Sequence, residues 1–365
     1  MTYNLSEYLE PFWKAKRISE ESVMFVGKND TAPLIFTPDK IEKVMSSDRK
    51  TEYKEGLDFA LENGRLKLLP NTKIPSLPLE EYFRDTPAKW ERPDGIFDIE
   101  IKVDRKRLRE KLELDGERFF AFGKKPFFYN NQIVVTYTHS DKWLGYIPES
   151  RPEIFKSFLD KAKNGKTPTL LFFGDSITTG ADSSGGGLYT CEPCIDSFAV
   201  MIHKLLTEKF GEINYVNTAV GGKNTAWAYE NLEENVIKHN PDMLVLAFGM
   251  NDGDRSPDDY YGLYKKMLTR VTEKFPNTPV LLVGTMIPNP ESDWLKNQRY
   301  HVNSLYRLEG EFKNTAVCDM TRLSTELYMG GKRFRDLTGN GVNHPNDFLA
   351  RIYAQAILTV LLGDY

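Results

Sequence analysis

Two hydrophobic rhythms divide this chain near residue 147. Before that point apolar residues come in short runs rich in β-branched and aromatic side chains: "SVMFV", "PLIFT", "LDFALENGRLKLL", "GIFDIEIKV", "RFFAFG" and "QIVVTYT". Runs of this kind, spaced by turn formers, predict an antiparallel β-sandwich, jelly-roll-like and smaller than the second half of the chain. Asn63-Gly64, between Phe59/Leu61 and Leu66/Leu68, is a strong two-residue hairpin turn signal. The charged stretch "DRKRLREKLEL" reads as one helix inside this region. Residues 148–168 are polar and carry Pro148, Pro152, Gly165 and Pro168, so they read as a linker with a short helix.

From Thr169 the rhythm changes. "TLLFF", "INYVN", "DMLVLAF", "PVLLVGT" and "TAVCDM" are apolar on both faces, and helical periodicity fills the gaps between them. Phe198, Met201, Ile202, Leu205 and Leu206 mark one helix face, and Tyr260, Leu263, Tyr264, Met267, Leu268 and Val271 another. A last stripe runs through Leu349, Ile352, Tyr353, Ala356, Ile357, Val360 and Leu361. Strands apolar on both faces and alternating with helices predict a mostly parallel sheet covered on both sides, an α/β/α three-layer fold. The expected division is 1–147 sandwich, 148–168 linker and 169–365 α/β/α domain.

Composition narrows the functional classes. Of 365 residues, 48 are Lys or Arg and 52 Asp or Glu, a net charge of -4, with no basic face to hold nucleic acid. No run is long and apolar enough for a membrane helix, and the acidic N-terminus lacks the features of a secretory signal. A cytoplasmic address is the default expectation, or secretion if a leader has been removed. Cys191-Glu-Pro-Cys194 has metal-ligand spacing but no second pair, so plain thiols, a local disulfide or redox role, and metal are its readings in descending order.

In a parallel sheet, loops leaving the carboxyl ends of the strands open on one edge, where ligands bind. After the first strand comes Gly174-Asp175-Ser176, a turn that presents a serine either as nucleophile or as a helix cap. After the second comes Gly221-Gly222, whose backbone N–H groups approach a ligand or only close a turn. After the third come Asn251 and Asp252; the Asn251 amide is either a donor to developing negative charge or a turn residue. Before the last helix stands His344, followed by Pro345 and therefore in a loop. His139, His203, His239 and His301 read as solvated or packed imidazoles. A serine, a histidine and N–H donors on one rim are the parts of acyl transfer.

Gly174-Asp175-Ser176-Ile177, Gly222 within "NTAVGG", Gly249-Met250-Asn251-Asp252 and His344 resemble, in order, the four blocks of the SGNH (GDSL-type) hydrolases, over residues 169 to 362. The resemblance implies Ser176 as nucleophile, His344 as base, and the Ser176 and Gly222 N–H groups with the Asn251 side chain as oxyanion hole. It also implies hydrolysis of lipid esters, acyl thioesters or acetylated sugars, without metal or organic cofactor. Where the family places an aspartate three residues before the histidine, this chain has Gly341. A main-chain carbonyl near Gly341 is the favoured substitute, giving a Ser-His dyad; Asp336 or Asp347 would make a triad.

A sandwich followed by such a domain resembles the two-domain carbohydrate esterases that remove acetyl groups. The leading expectation is a carbohydrate acetylesterase acting on a small-molecule or oligosaccharide ester. The alternatives are a short-chain acyl esterase, thioesterase or lysophospholipase, and an inactive carbohydrate-binding protein. Trp143, Trp227 and Trp294 read as sugar-stacking or packing aromatics. "GADSSGGGLYTCEPC" reads as a flexible segment that either shapes the acyl or leaving-group side or is only a solvated loop.

Overall fold

The computed structural model describes residues 3–27, 31–92, 95–109, 112–123, 125–187 and 190–365. All five apolar runs of the second half are strands: β1 (Thr169–Gly174), β2 (Asn214–Asn217), β3 (Met243–Ala247), β4 (Val280–Gly284) and β5 (Thr315–Asp319). They pair in parallel in the order β2-β1-β3-β4-β5. Alternate residues of each strand enter opposite layers, as the two-residue period of a strand demands. Leu170 and Phe172 join a core with α1 (Pro152–Lys163), α2 (Phe198–Phe210) and α5 (Asp347–Leu362). Leu171 and Phe173 join another with α3 (Pro257–Lys274) and α4 (Gln298–Glu311). The order reverses direction between β1 and β3, which is the switch point where doubly wound sheets bind ligands.

The first half is built on sheets. Strand Arg17–Val26 pairs antiparallel with Gln132–Thr138, which pairs with Lys40–Ser46. The hairpin Phe59–Glu62/Arg65–Leu68 turns at Asn63 and Gly64, both with positive φ (52° and 73°), as the sequence indicated. Ala32, Phe59 and Leu66 of this smaller sheet share a core with Val23, Phe25, Val44, Ile133 and Val135 of the larger one. Two expectations fail here. "PLIFT" forms no strand, the pairing residues being Thr31–Ala32 just before it. "DRKRLREKLEL" forms no helix where described: Arg105–Arg107 make a turn, and residues 110–111 lie outside the described residues. The preceding backbone is tied instead to loop 291–293, through Asp104 N–H to Glu291 O (2.7 Å) and Asp293 N–H to Lys102 O (3.0 Å).

The two halves are joined by burial. Within the stretch read as linker, α1 buries Phe155, Phe158, Leu159 and Ala162 in the core it shares with α2 and α5. Helix α5 is buried all round from Asp347 to Leu361, not along one stripe. Its polar residues face the N-terminal segment: Gln355 Nε2 donates to Glu10 O (2.7 Å), and the Arg351 guanidinium donates to Ser19 O. Strand Arg17–Val26 also brings Glu21 to Lys332 Nζ (2.7 Å) and to the Tyr137 hydroxyl (2.7 Å), both the acid and the amine being essentially solvent-free. Met24 N–H donates to Asp336 Oδ1 (2.8 Å), and Gln132 Nε2 to the carbonyls of Arg335 and Thr338 (2.8 Å each). The first half thus grips residues 332–338, the approach to His344.

Removing one partner of a buried ion pair leaves the other charge uncompensated. Lys332→Ala is expected to lower the free energy of unfolding by about 3–5 kcal/mol in a urea titration; a loss below about 1 kcal/mol would mean that Glu21 needs no counter-charge.

Candidate active site

Strand β1 ends at Gly174, where a Cβ would lie 2.2 Å from Thr178 Oγ1 and 2.6 Å from the Ala247 carbonyl oxygen. Only glycine lets the chain bend this tightly beside β3. Val220 N–H bonds Gly174 O (3.0 Å), so the ends of β1 and of the chain after β2 are held together. Residues 176–182 form turns rather than a helix, which removes the capping role for Ser176. Its hydroxyl donates instead to His344 Nε2 at 2.8 Å. The short-range turn acceptor is the neighbour, Asp175, whose Oδ1 takes the Ile177 N–H (2.9 Å).

The loop that carries His344 is wound on Asn340. Its side-chain oxygen accepts from the backbone N–H groups of Val342 (3.0 Å), Asn343 (3.0 Å) and His344 (3.2 Å). Gly339 N–H returns to His344 O (3.0 Å), which closes the loop. This buried polar winding fixes the imidazole before any substrate arrives.

The orienting partner of His344 is none of those expected from sequence. Its Nδ1 lies 2.5 Å from Oδ2 of Asp182, a residue of the glycine- and serine-rich segment after the first strand. A carboxylate only accepts, so the imidazole carries its proton on Nδ1 and leaves the Nε2 lone pair facing Ser176. The Gly341 carbonyl is occupied by Asn289 Nδ2 (3.0 Å). Asp336 is committed to Met24 N–H and Arg333, and Asp347 to Tyr129 and Ser184. Gly341 itself has φ +81°, and a Cβ there would meet the Phe128 ring at 2.8 Å, so no aspartate fits. Asp182 also adopts a left-handed backbone, φ +62°, which is uncommon outside glycine though best tolerated by Asn and Asp.

On the other side of Ser176, Gly221 comes so close that a Cβ on it would touch the Ser176 Cβ at 3.8 Å. Gly222 follows with φ +76°. Among the described residues neither the Ser176 nor the Gly222 N–H has a protein acceptor. The Asn251 amide donates to Lys223 O (2.9 Å), which binds the loop after β3 to the loop after β2. Asp252 is turned away, accepting from Thr225 Oγ1 (2.6 Å) and Arg255 Nε (2.8 Å). All four residues singled out by sequence, Ser176, Gly222, Asn251 and His344, therefore lie on one rim, and Asp182 joins them. Two backbone N–H groups, an amide and a hydroxyl hydrogen-bonded to an imidazole are groups of the kind that can add an oxygen nucleophile to a carbonyl and hold the resulting oxyanion.

The other side chains singled out in the sequence have these neighbours. Trp227 lies against Phe173, Trp143 against Phe12, and Trp294 against the apolar cores. His203 and His301 bond the carbonyls of Ile213 and Asp252 (2.9 Å each), and His139 stacks on Phe36. The loop read as flexible is packed where described: Ser183 and Ser184 are buried, and Gly185 N–H bonds Ile195 O (2.8 Å). Residues 188–189 lie outside the described residues. Cys191 and Cys194 are thiols flanking a turn closed by Cys194 N–H to Cys191 O (2.9 Å). Among the described residues no three His, Cys, Asp or Glu are grouped to hold a metal, and no helix is long and apolar enough to cross a membrane.

Residues 172–352 match the model of the GDSL-like Lipase/Acylhydrolase family. Two curated relatives, the platelet-activating factor acetylhydrolase IB subunit alpha1 of Bos taurus and of Homo sapiens, are each 23% identical over 143 residues. The match covers 39% of this chain and about half of each relative's length (53% and 54%). Similar solved structures include a two-domain esterase active on acetylated mannans (19% identity, TM-score 0.46, 57% of this chain and 53% of that one). Another is an acetylxylan esterase from Geobacillus stearothermophilus (20%, TM-score 0.43, 52% and 92%).

Asp175, beside the nucleophile candidate, is wholly buried, and burial pushes its pKa from 3.8 up to about 7 against the opposing pull of the Ile177 N–H and His344. Between those two values the folded chain holds a proton that the unfolded chain has released, so this residue's contribution to stability falls as pH rises. Thermal melts at pH 5 and pH 8 are expected to show a smaller drop for Asp175→Asn than for the wild type; parallel drops would mean that Asp175 is ionised throughout.

Proposed function

The C-terminal part of this chain is a GDSL-like lipase/acylhydrolase domain, and on that premise we propose that the protein is a serine esterase that removes acetyl groups from carbohydrates. The observation that carries the reading is the continuous run of hydrogen bonds Ser176 Oγ–His344 Nε2 (2.8 Å) and His344 Nδ1–Asp182 Oδ2 (2.5 Å). Ser176 attacks the ester carbonyl while His344 takes the hydroxyl proton, and the imidazolium formed is stabilised by Asp182. The carbonyl oxygen, now negative, accepts from the Ser176 and Gly222 N–H groups and from the Asn251 amide. His344 returns the proton to the leaving alcohol, and the acyl group stays on Ser176. Water, deprotonated by the same imidazole, then releases the acid.

Acetyl is favoured as the acyl group by the curated relatives, which are acetylhydrolases by name. A sugar as the alcohol is favoured by the order of parts, a sheet-rich region (1–147) before the hydrolase domain, as in two-domain carbohydrate esterases. The inactive-binder alternative drew its support from Gly341, and a carboxylate on His344 Nδ1 removes that support.

The wild type is expected to turn over p-nitrophenyl acetate and Ser176→Ala is not; equal rates would end the proposal. Asp182→Asn should lower kcat by on the order of 10⁴ through loss of the productive tautomer, and Asn251→Ala by about 10²–10³. An acetyl ester should be preferred over an octanoyl ester, and acetate should appear from acetylated oligosaccharides; the reverse chain-length order would assign a lipid or longer acyl substrate instead.

A further inference from the structure

Beyond Ser176, His344 and Asp182, the structure assigns Tyr129, from the sheet-rich half, as the positioning residue that holds Asp182 against His344, an inference that rests on the esterase reading. Tyr129 lies in the helix Lys125–Asn131 and is buried. Its hydroxyl donates to Asp347 Oδ1 (2.8 Å), with the Asp182 carbonyl also within reach (3.2 Å), and it accepts the Asp347 N–H (3.2 Å).

Asp347 in turn accepts the Ser184 N–H on the same Oδ1 (2.7 Å). It stands three residues after His344, and Ser184 two residues after Asp182, so one buried carboxylate bridges the arm with the base and the arm with the acid. The Tyr129 hydroxyl sits at the junction, touching both. Phe128, its neighbour, fills the space beside Gly341 on the histidine arm.

The need for such a clamp comes from the backbone. Asp182 holds φ +62°, which a residue with a Cβ keeps only when its surroundings over-determine it. Asp347 Oδ2 is buried without a hydrogen-bond partner, and burial raises the pKa of this carboxyl. The two bonds to Oδ1 are therefore what this costly buried group contributes. A small outward drift of the 182–184 segment would lengthen the His344–Asp182 bond without disturbing Ser176, Gly222 or Asn251.

The test is a mutant cycle on the full chain with p-nitrophenyl acetate. Tyr129→Phe is expected to lower kcat about 10- to 10²-fold with KM unchanged, and to weaken the far-downfield proton resonance of an imidazole N–H held on a carboxylate. Asp347→Ala should do the same, Asp347→Asn, which keeps an acceptor for both donors, should recover most of the loss, and the double variant Tyr129→Phe/Asp347→Ala should be no worse than Asp347→Ala. A folded Tyr129→Phe with wild-type kcat and an intact resonance would overturn the assignment, as would losses that simply add. A Ser176→Ala variant as active as the wild type would instead bring down the esterase reading, whatever Tyr129 does.

Discussion

A neutral imidazole has one proton and two nitrogens, and everything around His344 decides which nitrogen keeps it. The Asp182 carboxylate, 2.5 Å from Nδ1, can only accept, so the proton stays there and Nε2 is left to face the Ser176 hydroxyl at 2.8 Å. That single arrangement requires three separate pieces of chain to be held within ångströms of one another. β1 delivers Ser176 through a turn that only Gly174 allows, the Asn340-centred winding delivers His344, and a left-handed turn delivers Asp182. The same economy joins the neighbouring loops, the Asn251 amide fastening the loop after β3 to the one after β2.

The first half of the chain is part of this scaffold rather than an appendage. Glu21, Tyr137 and Lys332 form a buried charged cluster between the halves, and Met24 and Gln132 bind the backbone and side chains of residues 335–338. Desolvating such charges is costly, so the cluster contributes little net attraction. It acts on register, since a slipped docking of the strand Arg17–Val26 would leave Glu21 and Lys332 buried without their partners. Helix α5 has its polar flank covered by the N-terminal segment for the same reason, with Arg351 and Gln355 finding carbonyl partners there.

Much of this was legible in the sequence, because strands buried on both faces announce themselves as unbroken apolar runs. All five parallel strands fell where those runs lie; the loops after the first three carry Ser176, Gly222 and Asn251, and the loop before the last helix carries His344. Asp182 escaped because its neighbours are glycine and serine, which read as a solvated loop, whereas the chain packs them against Ile195 and Asp347. The available signal was that Asp182 is the one carboxylate in the ten residues that follow Ser176. Gly341 was informative in the opposite sense: its positive φ and the Phe128 ring exclude any side chain, so the acid had to come from elsewhere. The misread helix at "DRKRLREKLEL" has a similar origin, since spaced charges mimic a helix face while the adjoining backbone is bound to loop 291–293, a partner no local pattern displays.

The most direct test of an Asp182-oriented His344 activating Ser176 is covalent capture with a fluorophosphonate, followed by peptide mass mapping. The wild type should yield one stoichiometric adduct, on Ser176, at a rate that collapses in Asp182→Asn while the fold persists. Labelling at another residue, or labelling of Ser176 as fast without the Asp182 carboxylate as with it, would contradict the account.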